Sequence, residues 1–525
     1  MKNLSYSSLK AVLILVSFFS ILAISLSSCD VTKNTARTKT NPGQLDPVIA
    51  KNTNPKDTVK TGSYTAVTKV DERQNTSQTD TITWCDTIQK SPVQRIVICF
   101  KKVGNQTIQS DTVAVINLND DAIYTATKID STIEHKLAYQ VAILMPFMSK
   151  NFTPTNGKEI PIQSIKAIEF YEGVLLALDS LKAEGVNLFV NVYDTERDTT
   201  VVQNLLNQRE LQEADLIIGP LLSNNLKIVA EFAKTNKKIL VSPLNSRNNL
   251  TANNPYFIQV NPSFDVHSRL IIEQVHKIER DKYVIRDPTQ KNLLILALGK
   301  DSTRVASLQQ SYVNFKNDPN AKIQTLIPSS PTIDVNKIKP LLQRDKLNVI
   351  VMPTTDEGFI YNSLREIQKL VDKVEPRRGY QIVIVGMDRW RYFSRINFEY
   401  YESLNLHFTS DYYTTSNRKM VRSFKENYKS IYGIGTREFG FKGFDIMLYF
   451  GRMINKYGVN FQAHLWKENK VCNHTKFQIE PVYQFIVPLD GSPTETRASI
   501  ISGYQNQYLN FLKFKEYQLN KVIIE

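Results

Sequence analysis

Residues 215–246 read DLIIGPLLSNNLKIVAEFAKTNKKILVSPLNS. Asp215–Gly219 begins as a short apolar run and stops at Gly-Pro, the pattern of a buried strand with a turn behind it. From Leu221 to Lys234 apolar residues fall at Leu222, Leu226, Val229, Ala230 and Ala233, which is helical spacing. A second apolar run, Ile239–Val241, closes at Ser242-Pro243. Strand, turn, helix and strand make one parallel βαβ unit. In sheets built of such units, ligands bind beyond the carboxyl ends of the strands, where helix N-termini aim free N–H groups. Ser223, Asn224 and Asn225 follow the first strand, and Asn245 and Ser246 follow the second. Small polar side chains beside exposed amides suit a carboxylate or another anionic group. The same residue types also cap helices without binding anything, and this stretch alone leaves both readings open.

The alternation extends in both directions. Upstream, Val141–Leu144 is an apolar run ending at Met145-Pro146-Phe147, Ile165–Glu184 is a helix by its spacing, Val186–Val192 is the next strand, and Thr199–Glu213 is a helix. Asp194, Glu196 and Asp198 behind that strand read as helix caps or loop solvation. Downstream the series restarts after Pro255–Pro262: helices are expected at 263–280, 302–315, 336–343 and 359–371, and strands at 293–298, 323–327, 349–352 and 381–385, the last ending at Gly386. Repeated β–α alternation predicts doubly wound parallel sheets, and two comparable series predict two lobes with a cleft between them. Amphipathic helices at 417–432 and 440–457 precede a less regular tail.

A chain of 525 residues, 42% hydrophobic and 22% charged, is too long for one core. Its net charge of +14 is scattered, with no dense Lys/Arg block interleaved with aromatics, so nucleic-acid binding is not expected. Lys2 and Lys10 precede the apolar segment Ala11–Ile24, which closes at Leu26-Ser27-Ser28-Cys29. Residues 1–28 therefore read as a secretory signal, too short and wrongly flanked for a mature membrane-spanning helix. Residues 29–78, rich in Thr, Asn, Lys, Pro and Gln, read as a disordered tether. Residues 79–136 hold strand-like runs at Arg95–Phe100 and Thr112–Leu118, a small β-rich or irregular region. Cys85 and Cys99 flank β character and either bridge or do not; Cys472 is left over.

Two resemblances add to this reading. Leu26-Ser27-Ser28-Cys29 resembles the bacterial lipobox, which makes Cys29 the lipidation site of a lipid-anchored protein. Gly219-Pro220-Leu221-Leu222-Ser223, Val241-Ser242-Pro243, Asn249-Leu250-Thr251, Pro255-Tyr256-Phe257 and Asn261-Pro262-Ser263 resemble the first ligand loop and the crossover of type I periplasmic binding proteins of the leucine/branched-chain amino-acid receptor group. Tyr508–Val522 resembles that family's closing segment. The resemblance implies an α/β fold of two lobes joined by crossover strands over residues 137–525. Lobe 1 would take about 137–262 plus 415–460, and lobe 2 about 263–414 plus part of the tail. It also implies that Ser223 and Ser246, with Asn224 and Asn245 beside them, hold a ligand carboxylate. Asp388, after the Gly386 strand, would face an amino group unless it caps a helix; Phe359 would wall the cleft unless it is core. Leu244 stands where the family has a small residue, and Gly299-Lys300-Asp301-Ser302 lacks the family's aromatic.

The function implied is a lipid-anchored, periplasm-facing solute-binding protein that closes about a hinge on a small polar, carboxylate-bearing ligand such as an amino acid or peptide. Its partners would be that ligand, the membrane through the anchor, and an inner-membrane permease. Similar lobes serve lipoprotein activators of peptidoglycan synthases, so the alternative is a non-transport scaffold or regulator working with the peptidoglycan synthesis machinery. In Bacteroidetes-like lipoproteins the domain often follows LysM repeats, which are not visible before residue 139. No enzyme motif is found: Gly299-Lys300 lacks the earlier glycine of a phosphate loop, and G-x-S-x-G, H-E-x-x-H and paired C-x-x-C patterns are missing. His464, Cys472 and His474 lie close in sequence, but without a fourth ligand they read as surface residues rather than a metal site. No cofactor is expected.

Overall fold

The computed structural model describes residues 82–522 except 92–93, 104–105, 118–122, 126–130, 152–159, 248–249, 251–252, 279–290, 372–378 and 486–498, with side chains from Ser131 onward apart from 484–500. The expected signal peptide (1–28), the lipidation site Cys29 and the tether (29–78) lie outside the described residues. The first described element is an antiparallel sheet of four strands in sequential order, β1 (Ile82–Ser91), β2 (Gln94–Val103), β3 (Gln106–Asn117) and β4 (Ile123–Thr125). Its register places Cys85 opposite Cys99.

The chain then builds a first lobe from β5 (Tyr139–Met145), α1 (Ile165–Ala183), β6 (Leu188–Asp194), α2 (Thr199–Leu205), α3 (Arg209–Gln212), β7 (Leu216–Ile218), α4 (Ser223–Thr235), β8 (Ile239–Ser242) and β9 (Phe257–Gln259). It crosses to a second lobe made of α5 (Phe264–Val275), β10 (Lys291–Leu296), α6 (Ser302–Lys316), β11 (Gln324–Leu326), α7 (Val335–Ile338), β12 (Leu347–Val351), α8 (Glu357–Gln368), β13 (Ile382–Met387), α9 (Phe398–Ser403) and β14 (His407–Ser410). It returns to the first lobe with α10 (Lys419–Tyr432), α11 (Glu438–Tyr457), a short hairpin of β15 (Lys470–Val471) and β16 (Lys476–Phe477), β17 (Ile479–Phe485) and β18 (Ser499–Asn506). A third crossover delivers β19 (Asn510–Lys515) and β20 (Gln518–Lys521) to the second lobe.

Each lobe holds a seven-stranded sheet, ordered β17-β18-β9-β8-β7-β5-β6 in the first and β11-β10-β12-β13-β14-β19-β20 in the second. The first five strands of each lobe run parallel in the order second, first, third, fourth, fifth. The tail adds antiparallel pairs at one side, β17 with β18 and β20 with β19. Every residue of β7, β8 and β12 is buried, as expected of strands covered by helices on both faces. In the first lobe one sheet face packs on α1 and α11, and the other on α2 and α4. The α1–α11 contact is unusually close: a Cβ on Gly443 would lie 1.9 Å from the Phe170 carbonyl oxygen, and one on Gly173 would lie 2.0 Å from that of Gly440.

Several element bounds differ from the sequence expectation. The helix expected at 336–343 is only Val335–Ile338 followed by a 3-10 turn at Lys339–Leu341, because Pro340 supplies no N–H and crowds the preceding turn. The helix expected at 263–280 ends at Val275.

Candidate functional site

Strand order 2-1-3-4-5 reverses between the first and third strands, and the crevice above that point is where such sheets take ligands. In the first lobe it lies between the loops that follow β5 and β7. Asp194 at the end of β6 shapes the first loop: Oδ1 accepts the N–H groups of Phe147 (2.9 Å) and Met148 (3.1 Å), and Oδ2 that of Ser149 (2.7 Å). Asp198 caps α2 through the N–H of Thr200. The second loop turns at Gly219, whose φ of 91° and whose 2.3 Å approach to the Leu144 carbonyl oxygen exclude a side chain. Helix α4 then starts at Ser223 behind Leu222, with no side-chain cap. Ser223 is half-buried, Asn224 exposed, and Asn225 buried with Nδ2 unpartnered. Behind β8, Asn245 is buried and donates to the Arg247 carbonyl (3.2 Å), Ser246 is exposed, and half-buried Leu244 has its carbonyl held by Asn261 (3.0 Å).

In the second lobe the equivalent crevice, above β10 and β12, is occupied by an ion pair. Lys300 reaches Asp356 at 2.5 Å, and Arg304 binds Asp301 at 2.9 Å. Phe359 is a correction to the sequence reading: it is fully buried in the second lobe's core, among Leu294, Ile350, Ile384 and Trp390, and walls no cleft. The cause is local. Asp356 caps α8 by accepting the Phe359 N–H (2.9 Å), and the first turn then faces the sheet.

Asp388 stands at the end of β13, on a 3-10 turn that runs to Tyr392. It does not cap that turn; its carboxylate lies 3.2 Å from Arg391. From here a network crosses to the first lobe. Arg391 binds Glu438 on α11 (2.8 Å), and the Tyr392 hydroxyl donates to the same carboxylate. Lys442, one turn along α11, binds both Glu438 (2.8 Å) and Asp411 (2.7 Å), which follows β14. The Arg391 guanidinium also lies over the Tyr392 and Tyr412 rings. The side chain of Lys442 is 5% exposed. Although burial alone would lower its pKa, Asp411 and Glu438 raise it above the ordinary ammonium value. Burial pushes the other way on Asp411 and Glu438, but the cations around them, Lys442 first and Arg391 with it, together outweigh it and hold both below the usual carboxylate range. Asp388 is the exception: burial raises it to about 6 against the pull of Arg391. Three carboxylates thus face two cations, and Asp388 carries the excess charge.

The sequence reading missed Arg391, Asp411, Glu438 and Lys442. A signal was present in Glu438 and Lys442, an i,i+4 pair at the start of a helix that is largely buried. Of the other candidates, His474 Nδ1 lies 2.6 Å from the buried Asp445 carboxylate, His464 Nε2 lies 3.2 Å from the Ser131 carbonyl, and Cys472 is a buried free thiol. Among the described residues no three His, Cys, Asp or Glu side chains gather as a metal site, and no helix is long and apolar enough to cross a membrane.

No protein-family model matches this chain, and no curated protein sequence does. Solved structures do match. One from Rhodospirillum rubrum, described as a branched-chain amino acid ABC transporter, is 11% identical with a TM-score of 0.51, over 74% of this chain and 100% of that one. The fold is that of a type I periplasmic binding protein. An ABC transporter substrate-binding protein from Desulfitobacterium hafniense, in complex with Leu, is 12% identical with a TM-score of 0.47, over 73% of this chain and 100% of that one. Full-length LpoA from Haemophilus influenzae is 10% identical with a TM-score of 0.46, over 75% of this chain and 60% of that one. The Arg391–Glu438–Lys442–Asp411 network joins the lobes.

Proposed function

We propose that the chain is a solute-binding protein of the cell envelope, anchored through Cys29, that closes its two lobes on a small polar ligand bearing a carboxylate. The observation that carries this reading is the binding-protein fold with polar side chains at its strand ends. Ser223 with Asn224 and Asn245 with Ser246 lie on the first lobe, and Asp388 lies on the second. The free N-terminus of α4 and the Ser223 and Ser246 hydroxyls would take the carboxylate. Asp388, ionised above about pH 6, would take an amino group. A charge-assisted hydrogen bond is worth about 1.5–3 kcal/mol. Ser223→Ala combined with Ser246→Ala should therefore weaken binding at least about tenfold and leave the unfolding transition nearly unchanged. Thermal-shift screening of the full chain with amino acids, short peptides and cell-wall fragments finds the ligand, and titration of the double variant tests the site.

A second reading, a scaffold or regulator of cell-wall synthesis that binds no solute, draws on the ion network, since lobes tied by Lys442 and Arg391 need not move. It predicts that no member of that panel stabilises the protein, and that X-ray scattering shows one lobe arrangement under every condition. That pair of results would displace the solute-binding reading.

A further inference from the structure

Of the four cysteines in the chain, Cys29 is the expected lipid site and Cys472 is buried in the first lobe's core. The other two meet in the sheet that precedes the lobes. β1 and β2 pair without interruption from Trp84↔Phe100 to Gln89↔Arg95, and Cys85↔Cys99 is one of these pairs. The nearest register shift lies outside that run, between Ile82 and Trp84. Directly opposed residues of an antiparallel pair have Cα atoms about 4.5–5.5 Å apart. A disulfide spans Cα separations of about 4.4–6.8 Å, so the backbone already stands where a bridge needs it.

The sequence pattern gives a second reason. Successive residues of a strand belong to opposite faces. Within the uninterrupted run, Trp84, Ile88, Ile96, Ile98 and Phe100 share one face with a single polar residue, Asp86. Cys85 and Cys99 share the other with Thr87, Gln89, Arg95 and Val97. An unpaired cysteine behaves as a small apolar residue and collects in cores. Two cysteines facing each other across the more polar face of a hairpin fit a covalent pair instead. Cys99 is also where the next ladder breaks. The β2–β3 pairing steps from Ile98↔Val113 to Phe100↔Gln109 and skips it, and such a bulge disrupts the ladder locally. A crosslink from that residue to β1 holds β2 in register where β3 does not. Between Ile82 and Thr125 the described residues form strands and no helix. Small exported modules of this kind, short of a core, are those that rely on disulfides.

We propose that Cys85 and Cys99 are joined by a disulfide that staples β1 to β2. One thiolate of the pair attacks a small-molecule or protein disulfide, forming a mixed disulfide and expelling one thiol. The other thiolate then attacks the protein sulfur and expels the second thiol, so two protein thiols are oxidised and one disulfide is reduced to two thiols. In the test, the full chain is folded in glutathione and glutathione disulfide, denatured, alkylated without reduction and digested with trypsin. Trypsin cuts after Arg73, Lys90, Arg95 and Lys101, which puts the two cysteines on separate peptides, 74–90 and 96–101. Mass spectrometry should find these as one species, lighter than their sum by two hydrogen atoms and split by dithiothreitol. The protein should run as a monomer on a non-reducing gel. Cys472→Ser should keep the link, and Cys85→Ser should leave Cys99 open to alkylation. Closing a loop of about 15 residues suppresses opening roughly a hundredfold. Reduction should therefore speed amide exchange in β1 and β2 by about that factor and leave the lobes unchanged. The proposal is overturned if both cysteines alkylate before reduction, or if either is linked to Cys29, Cys472 or a second chain. Exchange in β1 and β2 that is the same before and after reduction overturns it as well.

Discussion

Glu172 sits on α1 at 6% exposure, where the Tyr428 hydroxyl donates to its carboxylate and the Tyr432 hydroxyl donates to its backbone carbonyl. Burial raises its pKa to about 7; the Tyr428 hydrogen bond pulls it down and the Glu169 charge pushes it further up. The folded value lies above the ordinary 4.5, so the folded state holds this proton more tightly than the unfolded chain. The contribution to stability is full below about pH 4.5 and is lost as pH rises through about 7. Glu172→Gln keeps an acceptor for Tyr428 and cannot ionise. It should raise the urea midpoint at pH 8, by up to about 3 kcal/mol of stability, and match the wild type near pH 4. A variant less stable than the wild type at pH 8 would refute the burial argument. Residues of this kind are poorly legible in sequence. Ser223, Asn245 and Asp388 could be located because each closely follows an apolar run. Phe359 could not be placed, since an aromatic at helical spacing fits core and cleft alike. Arg391 and Glu438 are 47 positions apart, and no local pattern joins them.

At the scale of elements, the α1–α11 contact makes the sharpest demand on sequence. Gly173 and Gly443 let the two backbones touch. Gly443→Ala drives a methyl into the Phe170 carbonyl, which no rotamer relieves, and should cost about 3 kcal/mol or more. Gly435→Ala, where nothing lies within 4 Å, is the matched control and should be near neutral. Thermal unfolding of the two variants decides the matter: equal midpoints would mean that the helices are not so close. The buried parallel strands could be read from sequence because both faces are covered and the runs are continuously apolar. The tail could not, because β17 and β18 shift register between Val482 and Tyr483, which breaks the period of two on which strand recognition depends.

At the scale of the molecule, the network of Arg391, Glu438, Lys442 and Asp411 sets how the lobes stand to each other. Glu438→Gln removes the carboxylate shared by Arg391, Tyr392 and Lys442, and with it the ionic link between Arg391 on the second lobe and α11 on the first. It should shift the lobes toward an open arrangement about tenfold or more, read as a larger radius of gyration by X-ray scattering. A superimposable scattering curve would sink the role assigned to the network. The three crossovers have a different consequence, one of timing. β9 gains its second neighbour only when Tyr504 and Gln505 arrive beside Ile258 and Gln259, and β14 gains its second neighbour only with Phe511 and Leu512. Synthesis proceeds from the N-terminus, so neither lobe can be completed until nearly the whole chain has been made. Until then both sheets present bare edges of the kind that invite aggregation. A chain stopped at residue 498 lacks β18, β19 and β20 together, and calorimetry should find no cooperative transition in it. A molecule wired in this way closes from its last strands inward.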